Sequence, residues 1–305
     1  MHWLGKAGMM QAFSYLPLGN ELHYMAQRRV TRSLPSSDEK FYEIFEQARE
    51  HLEALRRHSD TRPEDANFYE FGAGFELGIP LSFNVLGVLS QTVIDIRKLL
   101  RIELVNEILM KLKRVGGENG MTRSLQKLLE QNPSDDWVVL LHDWYGIQYQ
   151  APCDARNTGL PSASFDFVRS TNTLEHIPMP DIRLIFRECF RLLKKSGLMS
   201  FLIDYQDHYS YGDRRISVYN FLKYSDSTWR WFNPPLHYQN RLRHRDYIRL
   251  LQETGFEVVE ETALAPSHQD LMDLSRAGIS RQFRDAYDLT ELGVRRSHIV
   301  ARAIL

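Results

Sequence analysis

The chain has 305 residues, of which 43% are hydrophobic and 25% are charged. This is the balance of an ordinary globular protein, and the length predicts one catalytic domain with added segments. A formal net charge of −1 argues against a nucleic-acid-binding protein, and no apolar run is long enough to span a bilayer. Two cysteines, Cys153 and Cys189, lack zinc-site spacing. With no signal-peptide pattern, we expect a cytoplasmic protein with reduced thiols.

The first 64 residues are predicted to form a helical extension. Leu22 and Met25 recur at helical spacing, and Pro35 ends that run. Ser37 can cap a second helix, whose apolar residues fall on one face. The positions on that face are Phe41, Ile44, Phe45, Ala48, Leu52 and Leu55.

Strands and helices then alternate along the chain. The predicted strands are 67–71, 92–95, 147–151, 165–170, 198–203, 256–260 and 298–304, and the predicted helices are 75–86, 99–112, 180–193 and 246–253, with two short helices within 121–145. The segment 198–203 is almost entirely apolar, which is typical of a central parallel strand covered on both faces. We predict a doubly wound, mostly parallel, seven-stranded α/β sheet. The last strand is expected to be inserted antiparallel, because a long link joins it to the sixth.

Residues 205–242 differ from the rest of the chain. They contain five tyrosines between Tyr205 and Tyr224 and two tryptophans, with a Pro234-Pro235 pair and little periodicity. A long irregular segment in a compact domain is usually a lid or a binding loop, so we predict an inserted lid after strand five. The predicted organisation is therefore an N-terminal helical extension (1–64), a core (65–204), the lid (205–242) and the end of the core sheet (243–305).

Ligand-type residues follow the first three predicted strands. The sequence Glu70-Phe71-Gly72-Ala73-Gly74 ends the first, Asp95 ends the second, and Asp154 and Ala155 follow the third. Glycine lets the backbone approach a ligand, Asp95 can accept both hydroxyls of a ribose, and Asp154 can accept an adenine amino group. Each feature alone is also compatible with a tight turn or an exposed strand end. Together, on one sheet edge, they predict a nucleoside site.

The exit of strand four carries the most specific pattern. The residues are Leu160-Pro161, Phe165-Asp166-Phe167-Val168 and Asn172-Thr173-Leu174-Glu175-His176-Ile177. They resemble the signature of class I S-adenosylmethionine-dependent methyltransferases, in particular the small-molecule group called type 11 or type 12. The turn 191–197 is also similar to that family. The resemblance covers about 65–204 and 246–305, and it implies a Rossmann-like methyltransferase fold.

The resemblance implies S-adenosylmethionine as cofactor and S-adenosylhomocysteine as product. The implied cofactor residues are Glu70, Phe71, Gly72, Ala73 and Gly74 beside the methionine part, Asp95 at the ribose, Ile96, Asp154 and Ala155 at the adenine, and Asn172 and Leu174, with His176, near the sulfonium or the acceptor mouth. The sequence departs from the family at Glu76, where a third glycine is usual.

The acceptor side is predicted from the lid. Methyl transfer is an in-line displacement that depends on positioning, and an oxygen or nitrogen acceptor also needs a base. His208 is the predicted base and His176 the second candidate, with a purely structural role as the alternative for either. The predicted acceptor-binding residues are Tyr205, Asp207, Tyr209, Tyr211, Asn240 and Arg241, although these rings could also form the lid's own core. The N-terminal helices can close the cavity from the other side.

Two other functions remain open at the level of sequence. A nicotinamide-dependent oxidoreductase would want G-x-G-x-x-G, whereas the third position here is Leu77. A non-catalytic binding module would be expected to lose its ligand residues, and these are intact. No metal site is predicted, because Asp204, Asp207 and His208 lack a dedicated spacing. The expected partner is a small-molecule acceptor, not nucleic acid or a membrane, and a homodimer is compatible with the sequence.

Overall fold

A single sheet organises the computed structural model, which describes residues 2–116 and 137–304. Its described strands are β1 Asn67–Phe71, β2 Ser90–Ile94, β3 Ile147–Gln150, β4 Phe165–Thr171, β5 Leu193–Asp204, β6 Phe256–Ala263 and β7 Arg296–Ala303. The order is β3-β2-β1-β4-β5-β7-β6. Strands β1 to β5 pair in parallel, and β7 runs antiparallel to β5 and β6. The predicted doubly wound sheet and its antiparallel last strand are confirmed.

Helices cover both faces of this sheet. The α-helices of the described residues are α1 Trp3–Ser14, α2 Gly19–Ala26, α3 Asp38–His58, α4 Gly78–Val85, α5 Ile102–Gly116, α6 Trp137–Tyr145, α7 Met179–Leu192, α8 Asp226–Trp229, α9 His244–Glu253, α10 His268–Arg276, α11 Arg281–Arg284 and α12 Leu289–Gly293. Alternate residues of β5 point to opposite layers. Leu198 packs with α3 and α4, whereas Met199 and Phe201 pack with α7 and α9. None of the described helices combines the length and hydropathy needed to cross a bilayer.

The strand order fixes where a ligand can bind. From β1 the chain moves outward through β2 to β3, and it then returns to β4 on the other side of β1. The connections on either side of β1 therefore leave in opposite directions. In open α/β sheets such a switch point opens a crevice at the carboxyl ends of the strands. The residues after β1, β2, β3 and β4 face this crevice.

Several element boundaries differ from the prediction. Helix α4 begins at Gly78 rather than at 75, because Leu77 before it has a left-handed backbone with φ +53°. Strand β5 begins at Leu193, five residues earlier than predicted, where it pairs with Phe165 before a bulge. The link between β6 and β7 contains the short helices α10, α11 and α12, which a search for long apolar periodicity misses. Of the two short helices predicted within 121–145, α6 covers 137–145, and 117–136 lies outside the described residues.

The N-terminal segment contributes to two parts of the molecule. Helix α3 packs on the sheet through Ala48 and Leu52, both of which are buried. Helix α1 instead packs against the lid, where the Trp3 ring lies 5.1 Å from that of Phe232. The backbone N–H of Trp3 donates to Asp213 Oδ2 at 2.9 Å. The first helix is thus joined to a part of the chain more than two hundred residues away.

Candidate functional site

The turn after β1 hydrogen-bonds the end of β2 and lies against the segment that follows β4. The N–H groups of Gly72 and Ala73 both donate to the carbonyl of Ile94, at 2.9 and 3.2 Å. Gly72 has φ +85°, and a Cβ there would lie 2.4 Å from Thr173 Cγ2 after β4. The turn therefore requires glycine at this position for both its conformation and its close contact.

Replacing Gly72 by alanine is expected to destabilise the protein much more than the same change at Gly74. Gly74 also has a positive φ, +66°, but a Cβ there meets no atom within 4 Å. Gly74→Ala should therefore cost only the backbone strain, about 1 kcal/mol, whereas Gly72→Ala adds the collision with Thr173 and should cost about 3 kcal/mol or more. Urea denaturation of the two variants measures the difference. Equal losses would contradict the close contact as the reason for Gly72.

Asp95 lies at the crevice directly after β2. Its side chain is buried, with 7% exposure, and its carboxylate accepts the N–H groups of Gly74 at 3.0 Å and Arg97 at 2.9 Å. Burial raises the pKa of Asp95, and these two hydrogen bonds oppose the shift. A carboxylate has about four lone-pair sites, so two of them remain for hydroxyl groups of a ligand.

Asp154 approaches the same crevice from β3. The N–H of Cys153 donates to the carbonyl of Asp95 at 2.8 Å, which joins the two strand ends. The Asp154 carboxylate is held by Arg156, whose Nη2 lies 2.6 Å from Oδ2 and lowers the pKa of Asp154. Arg156 also donates to Asp181 at 2.8 Å. The predicted adenine-reading carboxylate is thus already engaged by a neighbouring guanidinium.

These residues line a first cavity of about 470 Å³. Eight of the eleven predicted cofactor residues face it, namely Phe71, Gly72, Gly74, Asp95, Ile96, Asp154, Ala155 and Asn172. His176 also lines it, as does Arg97, which the sequence analysis did not select. The structure therefore places the glycine turn and the two carboxylates around one cavity.

Glu70 faces away from this cavity. It lies opposite Arg169 in the register of β1 and β4, and its Oε2 is 2.5 Å from Arg169 Nη2. Both side chains are buried, and the guanidinium lies 4.3 Å from the ring centroid of Phe83. Burial raises the pKa of Glu70, while the charge of Arg169 opposes this shift. The geometry gives Glu70 an ion-pairing role within the sheet.

Three further positions near the crevice contact protein groups. Ala73 packs in the apolar layer beneath α4 and α5, and Leu174 is buried in the opposite layer with 1% exposure. Glu76 replaces the family's usual third glycine, and its Oε1 accepts a hydrogen bond from the hydroxyl of Ser36 at 2.5 Å. The departure from the family pattern therefore connects the turn to the segment before α3.

A second cavity of about 670 Å³ lies between the N-terminal helices and the lid. Trp3, Lys6, Met10 and His23 line it on one side, and His208, Tyr209, Tyr211 and His237 line it on the other. The two cavities share Arg97 and His176 in their linings. Burial lowers the pKa of Lys6, and the Asp207 carboxylate opposes that shift. Sequence reasoning missed Lys6, because no local pattern relates residue 6 to the lid.

The remaining predicted acceptor residues make contacts inside the protein. The Tyr205 hydroxyl is 2.6 Å from Ser297 Oγ, and Asp207 accepts a hydrogen bond from Asn220 Nδ2 at 3.0 Å. The Asn240 amide donates to the carbonyls of Leu174 and Ile177, and so holds the turn that carries His176. The guanidinium of Arg241 donates to the Phe221 carbonyl at 2.8 Å within the lid. Tyr209 and Tyr211 are the two of the six that line the second cavity.

A polar cluster lies where the two cavities meet, and we call it the junction cluster: Glu175, His176, Asp204 and His208. The imidazole rings of His176 and His208 are 4.8 Å apart, and His208 Nε2 is 3.4 Å from Asp204 Oδ2. His176 Nδ1 donates to the carbonyl of Tyr238 at 2.8 Å. Burial, assisted by His208, lowers the pKa of His176 to about 4. His176 is therefore neutral at physiological pH.

Glu175 is the most buried member of this cluster, with 2% exposure. Burial and the nearby carboxylate of Asp204 hold the pKa of Glu175 well above its ordinary value. The backbone N–H groups of Glu175 and Asp204 oppose the shift in part, but neither is in hydrogen-bonding geometry with the carboxyl oxygens. Glu175 lies within the strand-four signature, and its functional role was not predicted. An acidic residue directly before His176 was the available signal.

Comparison with known proteins gives one family match. Residues 117–201 match the family described as "Methyltransferase domain". No curated protein sequence matches the chain.

Solved structures with a similar chain path include several methyltransferases. The YcgJ protein from Bacillus subtilis is 15% identical, with 84% of this chain and 98% of that chain covered at a TM-score of 0.42. S-adenosylmethionine-dependent methyltransferases from Methanosarcina mazei (16% identity, 82% and 97% covered, TM-score 0.44) and Mesorhizobium loti (13%, 82% and 96%, TM-score 0.42) are similar at the same level. The sheet order itself, rather than these low-scoring likenesses, establishes the fold. Part of the chain, residues 117–201, is thus similar to a methyltransferase domain, and the order of the strands is compatible with that similarity.

Proposed function

We propose that this protein transfers the methyl group of S-adenosylmethionine to an oxygen or nitrogen atom of a small-molecule acceptor. One observation carries the proposal: a cavity lined by the glycine turn and two carboxylates meets a second, larger cavity at Arg97 and His176. Two adjoining cavities of this kind suit a reaction between a nucleoside cofactor and a separate acceptor.

The residues of the first cavity fit the cofactor. The tight turn at Gly72 brings backbone close to the crevice, and the Asp95 carboxylate keeps lone pairs for the two hydroxyls of a ribose. Ile96, which is 56% exposed, offers an apolar surface to a base. When bound, S-adenosylmethionine supplies an electrophilic methyl group. The residues that we propose to hold it are Gly72, Gly74, Asp95, Ile96, Asp154 and Asn172.

The second cavity suits a mostly apolar acceptor of small size. Trp3, Met10 and Tyr209 contribute apolar and aromatic surface, and Lys6 contributes a cation whose Nζ lies 5.5 Å from the Tyr209 ring centroid. Ligand sites commonly combine such apolar walls with a few polar groups that fix orientation. Holding the acceptor against the first cavity is the main contribution to rate that the chain itself makes.

An acceptor hydroxyl or ammonium group must also lose a proton, and we assign this role to His208. Its Nε2 lies 3.4 Å from Asp204 Oδ2, and its ring lines the second cavity next to His176. A carboxylate beside an imidazole fixes the orientation of the ring.

Labelled cofactor tests the proposed function. Incubating cell extract with the purified protein and S-adenosylmethionine carrying a deuterated methyl group should yield a metabolite 3 mass units heavier than its unlabelled form, as read by mass spectrometry. The label should be absent with Asp95→Ala protein. His208→Ala should lower kcat by about 100-fold or more, the usual contribution of a general base, with unchanged cofactor affinity. Binding of a nicotinamide cofactor in place of S-adenosylmethionine would overturn the assignment.

A further inference from the structure

We propose that Glu175, His176 and His208 bind a divalent transition-metal cation where the two cavities meet. Each side chain offers one ligand atom, and these atoms lie within 4.8 Å of one another. Ligands around a tetrahedral cation with bonds of about 2.1 Å are roughly 3.4 Å apart, so small side-chain rotations complete the set. Two imidazoles and one carboxylate favour Zn²⁺, Mn²⁺, Fe²⁺ or Co²⁺ over Mg²⁺ or Ca²⁺.

The hydrogen bond of His176 prepares this residue as a ligand. A carbonyl oxygen only accepts, so the bond from Nδ1 to the Tyr238 carbonyl at 2.8 Å fixes the proton on Nδ1. The lone pair is then on Nε2. Histidines that bind metals in proteins nearly always have such a partner on the other ring nitrogen, because it fixes the tautomer and the ring orientation.

Glu175 supplies an independent argument for a cation. Its carboxyl group is buried, and no donor among the described residues hydrogen-bonds either oxygen in acceptable geometry. His208 Nε2 is likewise buried without a hydrogen-bond partner among these residues. Buried polar atoms without partners are rare in native proteins, and a bound ion is one of the recognised explanations. A cation bound to both groups would satisfy these atoms together.

The charges around the cluster support the same conclusion. The carboxylate of Asp204 lies beside His208, with its Oδ2 3.4 Å from His208 Nε2. Two acidic side chains in one largely buried cluster are unfavourable without a compensating positive charge. A divalent cation provides that compensation, with Asp204 as a fourth ligand or as the partner of His208. Tyr211 donates its hydroxyl to Asp204 and so holds that carboxylate in place.

The position of the cluster suggests what the cation does. His176 lines both cavities, and His208 lines the second one. Resting on the proposed function, we infer that open coordination positions of the cation face the acceptor. When His208 is bound to the cation, the cation instead of a free imidazole promotes loss of the acceptor's proton to water. The acceptor class is then a compound whose hydroxyl or carboxylate oxygen can bind a metal, positioned next to the cofactor cavity.

Metal titration of the chelator-treated, dialysed full-length protein tests the site. Calorimetry with ZnCl₂ should show one saturable site per chain with a Kd at or below about 1 μM, and CoCl₂ should give visible absorption bands of a nitrogen-ligated ion. His208→Ala and Glu175→Gln should each weaken Zn²⁺ binding by more than about 100-fold. Loss of a residue that only hydrogen-bonds a metal ligand has a smaller effect. His142→Ala is the matched control, because this histidine is 66% exposed and lines neither cavity. It should bind Zn²⁺ as the unmodified protein does.

Titration of the unmodified protein shows whether the cation site exists, even if a variant fails to fold. Absence of a saturable site in it, or unchanged binding by folded His208→Ala and Glu175→Gln proteins, overturns the inference. Binding of S-adenosylmethionine is measured separately in the presence of chelator. Methyl transfer that persists in chelator refutes the role of the cation in positioning the acceptor and leaves the proposed function standing, whereas a metal-loaded protein that binds no S-adenosylmethionine refutes the proposed function alone.

Discussion

Asp95→Ala will weaken S-adenosylmethionine binding by about 100-fold or more. The carboxylate is the only acidic side chain that both lines the first cavity and hydrogen-bonds the glycine turn among the described residues. Charge-assisted hydrogen bonds contribute about 1.5–3 kcal/mol each, and the variant loses those to a ribose together with the bond that holds Gly74. Isothermal titration calorimetry of the variant and the unmodified protein measures the change.

Asp154→Asn is the matched comparison for this experiment. The Asp154 carboxylate is engaged by Arg156 in the structure, so its loss should reduce affinity by less than about tenfold. A melting curve establishes that each variant is folded before binding is measured. If folded Asp95→Ala protein binds the cofactor as tightly as the unmodified chain does, Asp95 serves only the turn and the assignment of the ribose site is wrong.

Arg169→Met will destabilise the protein by about 3–5 kcal/mol, the usual cost of leaving a buried charge unpaired. Arg169 is fully buried, and its partner Glu70 lies opposite it on the neighbouring strand. The double variant Glu70→Gln/Arg169→Met removes both charges and should recover most of the loss. Urea denaturation of the single and double variants gives the two free energies of unfolding.

The same double variant decides between two roles for Glu70. The sequence resemblance implies a contact with the cofactor, whereas the structure directs the side chain into the sheet. Unchanged S-adenosylmethionine affinity in the double variant would show that Glu70 serves the sheet. A large loss of affinity in a folded double variant would support the contact implied by the resemblance. Failure of the double variant to recover stability would contradict the ion pair as the source of the loss.

The elements that were predictable from sequence have local signals. Each of these signals occupies a few consecutive residues: the apolar run of β5, the glycines after β1, and the carboxylates after β2 and β3. Parallel pairing brings the carboxyl ends of the strands to one edge of the sheet, independently of how the helices pack. The helical start at Gly78 was missed because a non-glycine residue, Leu77, adopts the left-handed conformation before it. Local propensity disfavours that conformation, and only tertiary contacts maintain it.

The residues around the second cavity and the junction cluster were harder to predict, because their contacts join distant parts of the chain. Glu70 meets Arg169, and His176 meets His208, only after the sheet has assembled. Tyr205 and Arg241 have the residue types of a binding loop, yet they hydrogen-bond within the protein. Residue type alone does not separate a ring or guanidinium that faces a cavity from one that stabilises the loop itself.

The contact between Trp3 and the lid has a consequence for how the chain matures. During synthesis the first helix emerges early, but Asp213 and Phe232 are translated only after most of the sheet. Until then the apolar face of α1 has no native surface to pack against. The contact between Trp3 and Asp213 also closes a very long loop of chain, which has a high entropic cost. Docking of this helix is therefore expected among the last events of folding, so that the second cavity acquires its final wall only after the first cavity has formed.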